Sequence, residues 1–152
     1  MIDSMEKISY IDEEILRDIC HKLAIKYFTI DGEPIGDYEL RDNGKIASAL
    51  ENPQRSFGGV ELYPTLYHKA AILYYGMIKA HAFANGNKRI AVVTLLTFLA
   101  INDKYLKVAP EVLESNVVEV AESPSGEMDK TLAKLFEFLE RNCVPFSEAE
   151  PG

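Results

Sequence analysis

The stretch "HAFANGNKRIAVV", residues 81–93, changes character three times within thirteen residues. It opens with a histidine and a phenylalanine, passes through small polar residues around Gly86, adds Lys88 and Arg89, and turns apolar from Ile90. The apolar run "IAVVTLLTFLAI" at 90–101 is too short to span a bilayer. It reads as a buried core helix over about 87–102. The start of such a helix exposes unpaired N–H groups and a partial positive charge, which attract phosphate. Gly86 lets the backbone approach a ligand with no Cβ in the way. Asn87 can donate or accept through its amide, Lys88 and Arg89 add cationic donors, and the Arg89 fork suits phosphate oxygens. His81 supplies an imidazole, which can take a proton from a hydroxyl near neutral pH. Phe83 reads as a core residue holding the loop. Together these residues suggest a phosphate site with a base beside it.

Outward from this stretch the pattern is helical nearly throughout. Upstream, a helix is expected from Pro64 to about Phe83, with Leu66, Ala70, Leu73 and Met77 on one stripe and Tyr67, Ala71, Tyr74 and Ile78 beside it. An apolar arc that wide predicts a central position. Before it, "QRSFGGVELYP" carries a Gly-Gly pair between apolar residues and reads as a short hairpin. "KIASALENP" reads as a short helix stopped at or before Pro53. The N-terminal helix is expected after an Asp12 cap, with Ile15, Ile19, Leu23 and Ile25 recurring near helical spacing. "TIDGEPIGDYELRDNG", 29–44, reads as a loop, and "DKYLKV" as a connector to two further helices, in "APEVLESNVVEVAE" and "GEMDKTLAKLFEFLERN". Residues 145–152 read as a loose tail after a single domain over 1–144. The expected fold class is therefore all-α: a helical bundle around a central buried helix, with one β-hairpin flap. His21 and His68 are expected in helices away from the loop, and Tyr67, Tyr74 and Tyr75 as packing.

The 152 residues suffice for one domain with its own core, and 47% hydrophobic with 26% charged residues is a soluble globular composition. Acids outnumber bases 24 to 16, for a formal charge of −8. That balance argues against direct nucleic-acid or membrane binding, because phosphates are repelled by the average surface. The two cysteines, Cys20 and Cys143, make no disulfide framework, and the start shows no basic-then-apolar signal peptide. A cytoplasmic protein with reduced thiols is expected.

"HAFANGNKR" resembles the signature loop of the Fic/Doc family, HxFx(D/E)(G/A)N(G/K)R, with His81, Phe83, Gly86, Asn87, Lys88 and Arg89 in place. The approach "SALENPQRSFGGVELYPTLYHKAAILYYGMIKAHAF" resembles the Doc branch, and the likeness covers roughly residues 32–102. The resemblance implies an enzyme that moves part of a nucleoside triphosphate, such as ATP, onto a protein hydroxyl. His81 would be the base and Gly86, Asn87 and Arg89 the phosphate cradle. Residues 54–62, with Ser56, Phe57, Gly58, Gly59 and Val60 at their centre, would be the flap that aligns the target by strand addition. Lys88 matches the Doc toxins, a branch associated with phosphorylating a translation elongation factor, whereas the adenylyl-transferring (AMPylating) Fic proteins carry glycine. Phosphoryl transfer is therefore expected, with nucleotidyl transfer or a degenerate nucleotide- or partner-binding module as the alternatives.

Asn85 departs from the family pattern, which has Asp or Glu there to hold Mg2+. Its neutral oxygen can still ligate a hard cation, but without charge. The likeness also implies an antitoxin protein whose flexible segment folds into a groove near the site. Neither "ASALEN" nor "SPSGEM" fits the built-in inhibitory pattern (S/T)xxxE(G/N), so control by a separate protein is expected.

Overall fold

Helix α4 (Leu66–Ala80) is apolar over most of its circumference, and it is the element around which the others are arranged. Thr65 caps it, its hydroxyl accepting from the His68 N–H at 3.2 Å. The two neighbouring stripes expected from the sequence are both taken inside, with Ala70, Leu73, Met77, Ala71, Tyr74 and Ile78 all buried. Such all-round burial needs partners on every side.

A computed structural model describes residues 7–27 and 35–149. Part of the expected 29–44 loop, at 29–34, and the last three residues of the expected tail, 150–152, lie outside the described residues. The chain runs α1 (Glu13–Ile15), a π-helical turn (Leu16–His21), α2 (Lys22–Tyr27), a 3-10 turn (Tyr38–Leu40) and α3 (Asn43–Glu51). A second 3-10 turn (Asn52–Gln54) carries Pro53. The hairpin β1 (Ser56–Phe57) and β2 (Val60–Glu61) leads into α4, and α5 (Asn87–Ala100) follows. Then come β3 (Lys104–Leu106), α6 (Pro110–Glu122), α7 (Met128–Asn142) and β4 (Cys143–Pro145). The all-helical class holds, and among the described residues no helix is long and apolar enough to cross a membrane.

Two cross-links fix α6 against α4. The Tyr74 hydroxyl donates to Asn116 Oδ1 at 2.9 Å, and Lys79 Nζ donates to the carbonyls of Ala121 at 3.2 Å and Ser123 at 2.5 Å. The first two pairs share one sequence offset of 42, so the helices run parallel with their C-terminal ends together. Lys79 thereby satisfies carbonyls that the end of α6 leaves open. Tyr74 is packing, as expected.

Three expectations need correction. The N-terminal helix turns a different face inward: Leu16, Cys20 and Ala24 are buried, whereas Ile19 and Ile25 are 44% and 46% exposed. The π-helical turn changes the residue count per turn there, so an α-helical period misassigns the inner face. Second, residues 145–149 are held, not loose: Pro145 ends β4, which pairs antiparallel with β3, and the Phe146 N–H donates to the Asp103 carbonyl at 2.9 Å. "DKYLKV" is therefore a strand of a second two-stranded sheet rather than a plain connector. Third, α4 ends at Ala80, short of Phe83.

Candidate active site

The end of α4 decides where the imidazole goes. His81 takes a left-handed conformation, φ 48° and ψ 48°, and so terminates the helix as its C-cap. A side chain with a Cβ adopts that region at a cost of about 1–2 kcal/mol. The turn leaves His81 exposed, with no hydrogen bond or ion pair to any other described residue. Its ring is thus open to an incoming hydroxyl.

The loop after His81 is fastened from below. Ala82 and Phe83 are buried, and the Ala82 carbonyl accepts from the Asp42 N–H at 2.9 Å, at the cap of α3. The Phe83 ring meets the rings of His21 at 5.5 Å and Tyr38 at 5.9 Å between centroids. His21 Nε2 lies 2.9 Å from the Gly36 carbonyl, which can only accept, so that nitrogen carries the proton. Helical period alone places His21 away from the loop; in the fold it is part of the floor beneath it. His68, by contrast, stacks on Phe136 at 4.0 Å.

Asn87 closes the loop from the other side. Its Oδ1 accepts from the Phe83 N–H at 3.0 Å and its Nδ2 donates to the Phe83 carbonyl at 2.7 Å. The side chain expected to touch phosphate is thus committed to the backbone four residues earlier. What Asn87 offers an anion is its main-chain N–H, in the first turn of α5 beside that of Lys88. Gly86 precedes that turn with φ 81° and no side-chain cap, and its carbonyl accepts from the Ile90 N–H at 2.9 Å. A Cβ on Gly86 would lie 2.5 Å from Ile35 Cγ1. Lys88 is exposed on the rim and Arg89 is half-buried, while Ile90 to Leu95 disappear into the core. The result is a helix N-terminal turn, backed by buried residues and of the kind that suits an anion, that begins five residues after an exposed imidazole.

Asn85 is exposed at the tip of the loop. Among the described residues no group of three or more His, Cys, Asp or Glu side chains comes together to hold a metal ion. Asn85 carries a neutral amide oxygen where an acid would carry a charged one, a weaker type of ligand for a hard cation.

The hairpin forms as the Gly-Gly pair suggests. Ser56 faces Glu61 and Phe57 faces Val60, with Gly58 and Gly59 both at positive φ, 60° and 82°, as a two-residue turn requires. All six residues are exposed, Phe57 at 81% and Val60 at 68%. Its link to the body is a residue the sequence reading passed over. Lys69, on α4, is buried, and its Nζ donates to Glu61 Oε1 at 2.5 Å and to the Pro53 carbonyl at 3.1 Å. The signal was available: a cation inside an apolar arc, with an acid on the adjoining hairpin, invites a buried ion pair.

A family model described as the Fic/DOC family matches residues 10–99, more than half of the chain. Toxin Doc from Mycolicibacterium smegmatis (strain ATCC 700084 / mc(2)155) is 42% identical over 67 residues, which is 44% of this chain and 52% of that protein. The chain thus spans about half the length of that relative. No solved structure matches it. The loop of His81 and Gly86, the helices around it and the extent of the family match lead to one statement: the chain belongs to the Fic/Doc family.

Proposed function

We propose that this chain is the toxin enzyme of a toxin–antitoxin pair and transfers the γ-phosphoryl group of a nucleoside triphosphate to a serine or threonine hydroxyl of a protein, by family likeness a translation elongation factor. The observation that carries the reading is the exposed imidazole at the end of α4 beside the first turn of α5. His81 takes the proton of the acceptor hydroxyl as its oxygen bonds to the γ-phosphorus, the bond from that phosphorus to the bridging oxygen breaks, and the diphosphate leaves. The N–H groups of Asn87 and Lys88 and the two cationic side chains stabilise the transferring phosphates. Mg2+ would neutralise phosphate charge there, held by the Asn85 oxygen and the triphosphate. The exposed hairpin would take the acceptor chain as an added strand.

Lys88 favours phosphoryl over nucleotidyl transfer. It stands exposed at the second position of α5, where a bulky cation alters how the phosphates lie. Asn85 favours a second reading, a nucleotide- or partner-binding module without turnover, since the charged metal ligand of the family is missing. The likeness further implies an antitoxin. We assign its flexible segment to the groove of about 470 Å³ between α6 and α7, whose lining mixes acids (Glu119, Glu122) and lysines (Lys130, Lys134) with apolar Val120 and Leu135.

One experiment separates these readings. The protein is incubated with bacterial lysate and ATP labelled at the γ- or the α-phosphate, beside a His81→Asn control. Protein label from γ alone, absent from the control, is the expected result. Label from α means nucleotidyl transfer, and no His81-dependent label from either position leaves the binding module.

A further inference from the structure

A buried lysine needs a reason. Lys69 is 2% exposed in the side chain, and its charge is tolerated because Glu61 and the Pro53 carbonyl meet it. A well-packed apolar residue is often as good or better for stability at such a site. Stability alone therefore does not explain the charge.

The hairpin supplies the reason. Two strands of two residues each, with every side chain exposed, cannot hold a position by their own pairing. The Leu62 N–H donates to the Arg55 carbonyl at 3.0 Å and closes the base of the hairpin, but it ties the hairpin to itself rather than to the core. Lys69 joins β2, through Glu61, and the 3-10 turn before β1, through Pro53, to the central helix. Both roots of the hairpin thus converge on one ammonium group of the helix that ends at His81. The twelve residues from Lys69 to His81 rise about 18 Å along the helix axis. An extended chain covers that distance in about five or six residues.

We propose that Lys69 is a positioning residue for the acceptor protein: by clamping both roots of the hairpin to α4, it fixes the register in which an extended acceptor strand is presented to His81. It touches neither nucleotide nor acceptor. This rests on the transfer reading above and deepens it, since it makes the acceptor an extended segment recognised by main-chain pairing, with the modified hydroxyl at a set spacing from the paired residues.

The test uses Lys69→Met, an unbranched apolar replacement, and Glu61→Gln on the exposed side of the pair, which removes the charge without disturbing the core. Amide hydrogen exchange of the hairpin and thermal midpoints are measured on each protein. Initial rates of labelled-phosphate transfer to a purified bacterial elongation factor are then followed over a range of acceptor concentrations, or to total lysate protein over a dilution series if the factor takes no label. The expected result is faster exchange at Val60 and Leu62, and a KM for acceptor raised about tenfold, the worth of one charge-assisted hydrogen bond. The rate at saturating acceptor and the KM for nucleotide stay within about twofold, and the double variant is no worse than Lys69→Met, because one interaction is removed once. Lys69→Arg, which keeps the charge, restores part of the acceptor affinity. If exchange quickens while acceptor KM does not move, or if kcat falls with KM unchanged, the positioning role is wrong and the transfer reading stands. If the unsubstituted protein labels no protein at all, the transfer reading fails and takes this inference with it.

Discussion

Replacing Gly86 by alanine introduces two separable penalties at the start of α5. The first is backbone strain: at φ 81° a residue with a Cβ loses about 1–2 kcal/mol. The second is a collision, since the new methyl would lie 2.5 Å from Ile35 Cγ1, 3.2 Å from its Cδ1 and 3.3 Å from its Cβ. Ordinary carbon contacts are about 3.5–4.0 Å, so Ile35 or the turn must retreat by roughly 1 Å. Ile35 is only half-buried, which gives it somewhere to go. Overpacking of this kind costs about 1–3 kcal/mol, and the partial freedom of Ile35 puts the value near the lower end. The sum is about 2–4 kcal/mol.

A double-mutant cycle with Ile35→Ala separates the two penalties. Urea denaturation of all four proteins, with the m-values compared, gives each free energy. Gly86→Ala should cost about 2–4 kcal/mol in the natural background but only the strain part, about 1–2 kcal/mol, where Ile35 is already alanine. An equal cost in both backgrounds would mean that the turn and Ile35 do not meet as described. No cost in either would refute the left-handed turn itself, and the anion site built on it.

His81→Asn should reduce transfer by roughly 100- to 10,000-fold, the usual worth of a general base, with little change in the thermal midpoint. Asparagine is chosen because it tolerates the left-handed backbone at φ 48° better than alanine, so catalysis and folding are read apart. Asn87→Ala, which removes both bonds to Phe83, should cost about 1–3 kcal/mol in denaturant unfolding. Asn87→Asp keeps the acceptor but sets a negative charge in the anion site, so nucleotide binding measured by calorimetry should fall more than stability does. Burial pushes the Cys143 thiol up to about 11 from an ordinary 9.0, with Lys104 opposing the shift. Higher means less thiolate near neutral pH, so iodoacetamide should modify Cys143 about a hundredfold more slowly than a free thiol, with a rate that climbs until about pH 11.

Much of the fold was legible because helical period is a local signal. The wide apolar arc of α4, the buried run of α5, the Asp12 cap, with its Oδ1 2.8 Å from the Ile15 N–H, and the Gly58–Gly59 turn each depend on neighbours in sequence. The β3–β4 sheet was not legible, because its strands are three residues each and lie about forty positions apart. No periodicity announces a partner at that distance. The floor of the site was hidden for a related reason. His21 reaches Phe83 only because a π-helical turn rotates it inward, and Ile35 meets Gly86 only through tertiary folding. The signature loop picks out a neighbourhood, but a sequence pattern cannot tell a residue that binds from one that builds. On its amide alone Asn87 reads as a ligand, and that amide is spent on holding Phe83.

The same distinction bears on how a chain of net charge −8 would present the polyanion site proposed above. The long-range field opposes approach, so attraction must come from groups within a few ångströms of the ligand, where local fields outweigh a screened surface. Side-chain cations alone would serve poorly, because Lys88 is exposed and its position is variable on a flexible stem. Main-chain N–H groups serve better if their helix cannot move, and α5 is held by the burial of Ile90, Ala91, Val92 and Val93 directly behind the turn. Fixing the loop in front demands a further bond, which Asn87 supplies without adding charge. On the proposed reading an acidic surface is compatible with such a site, because backbone donors set by the core act beside the two cationic side chains.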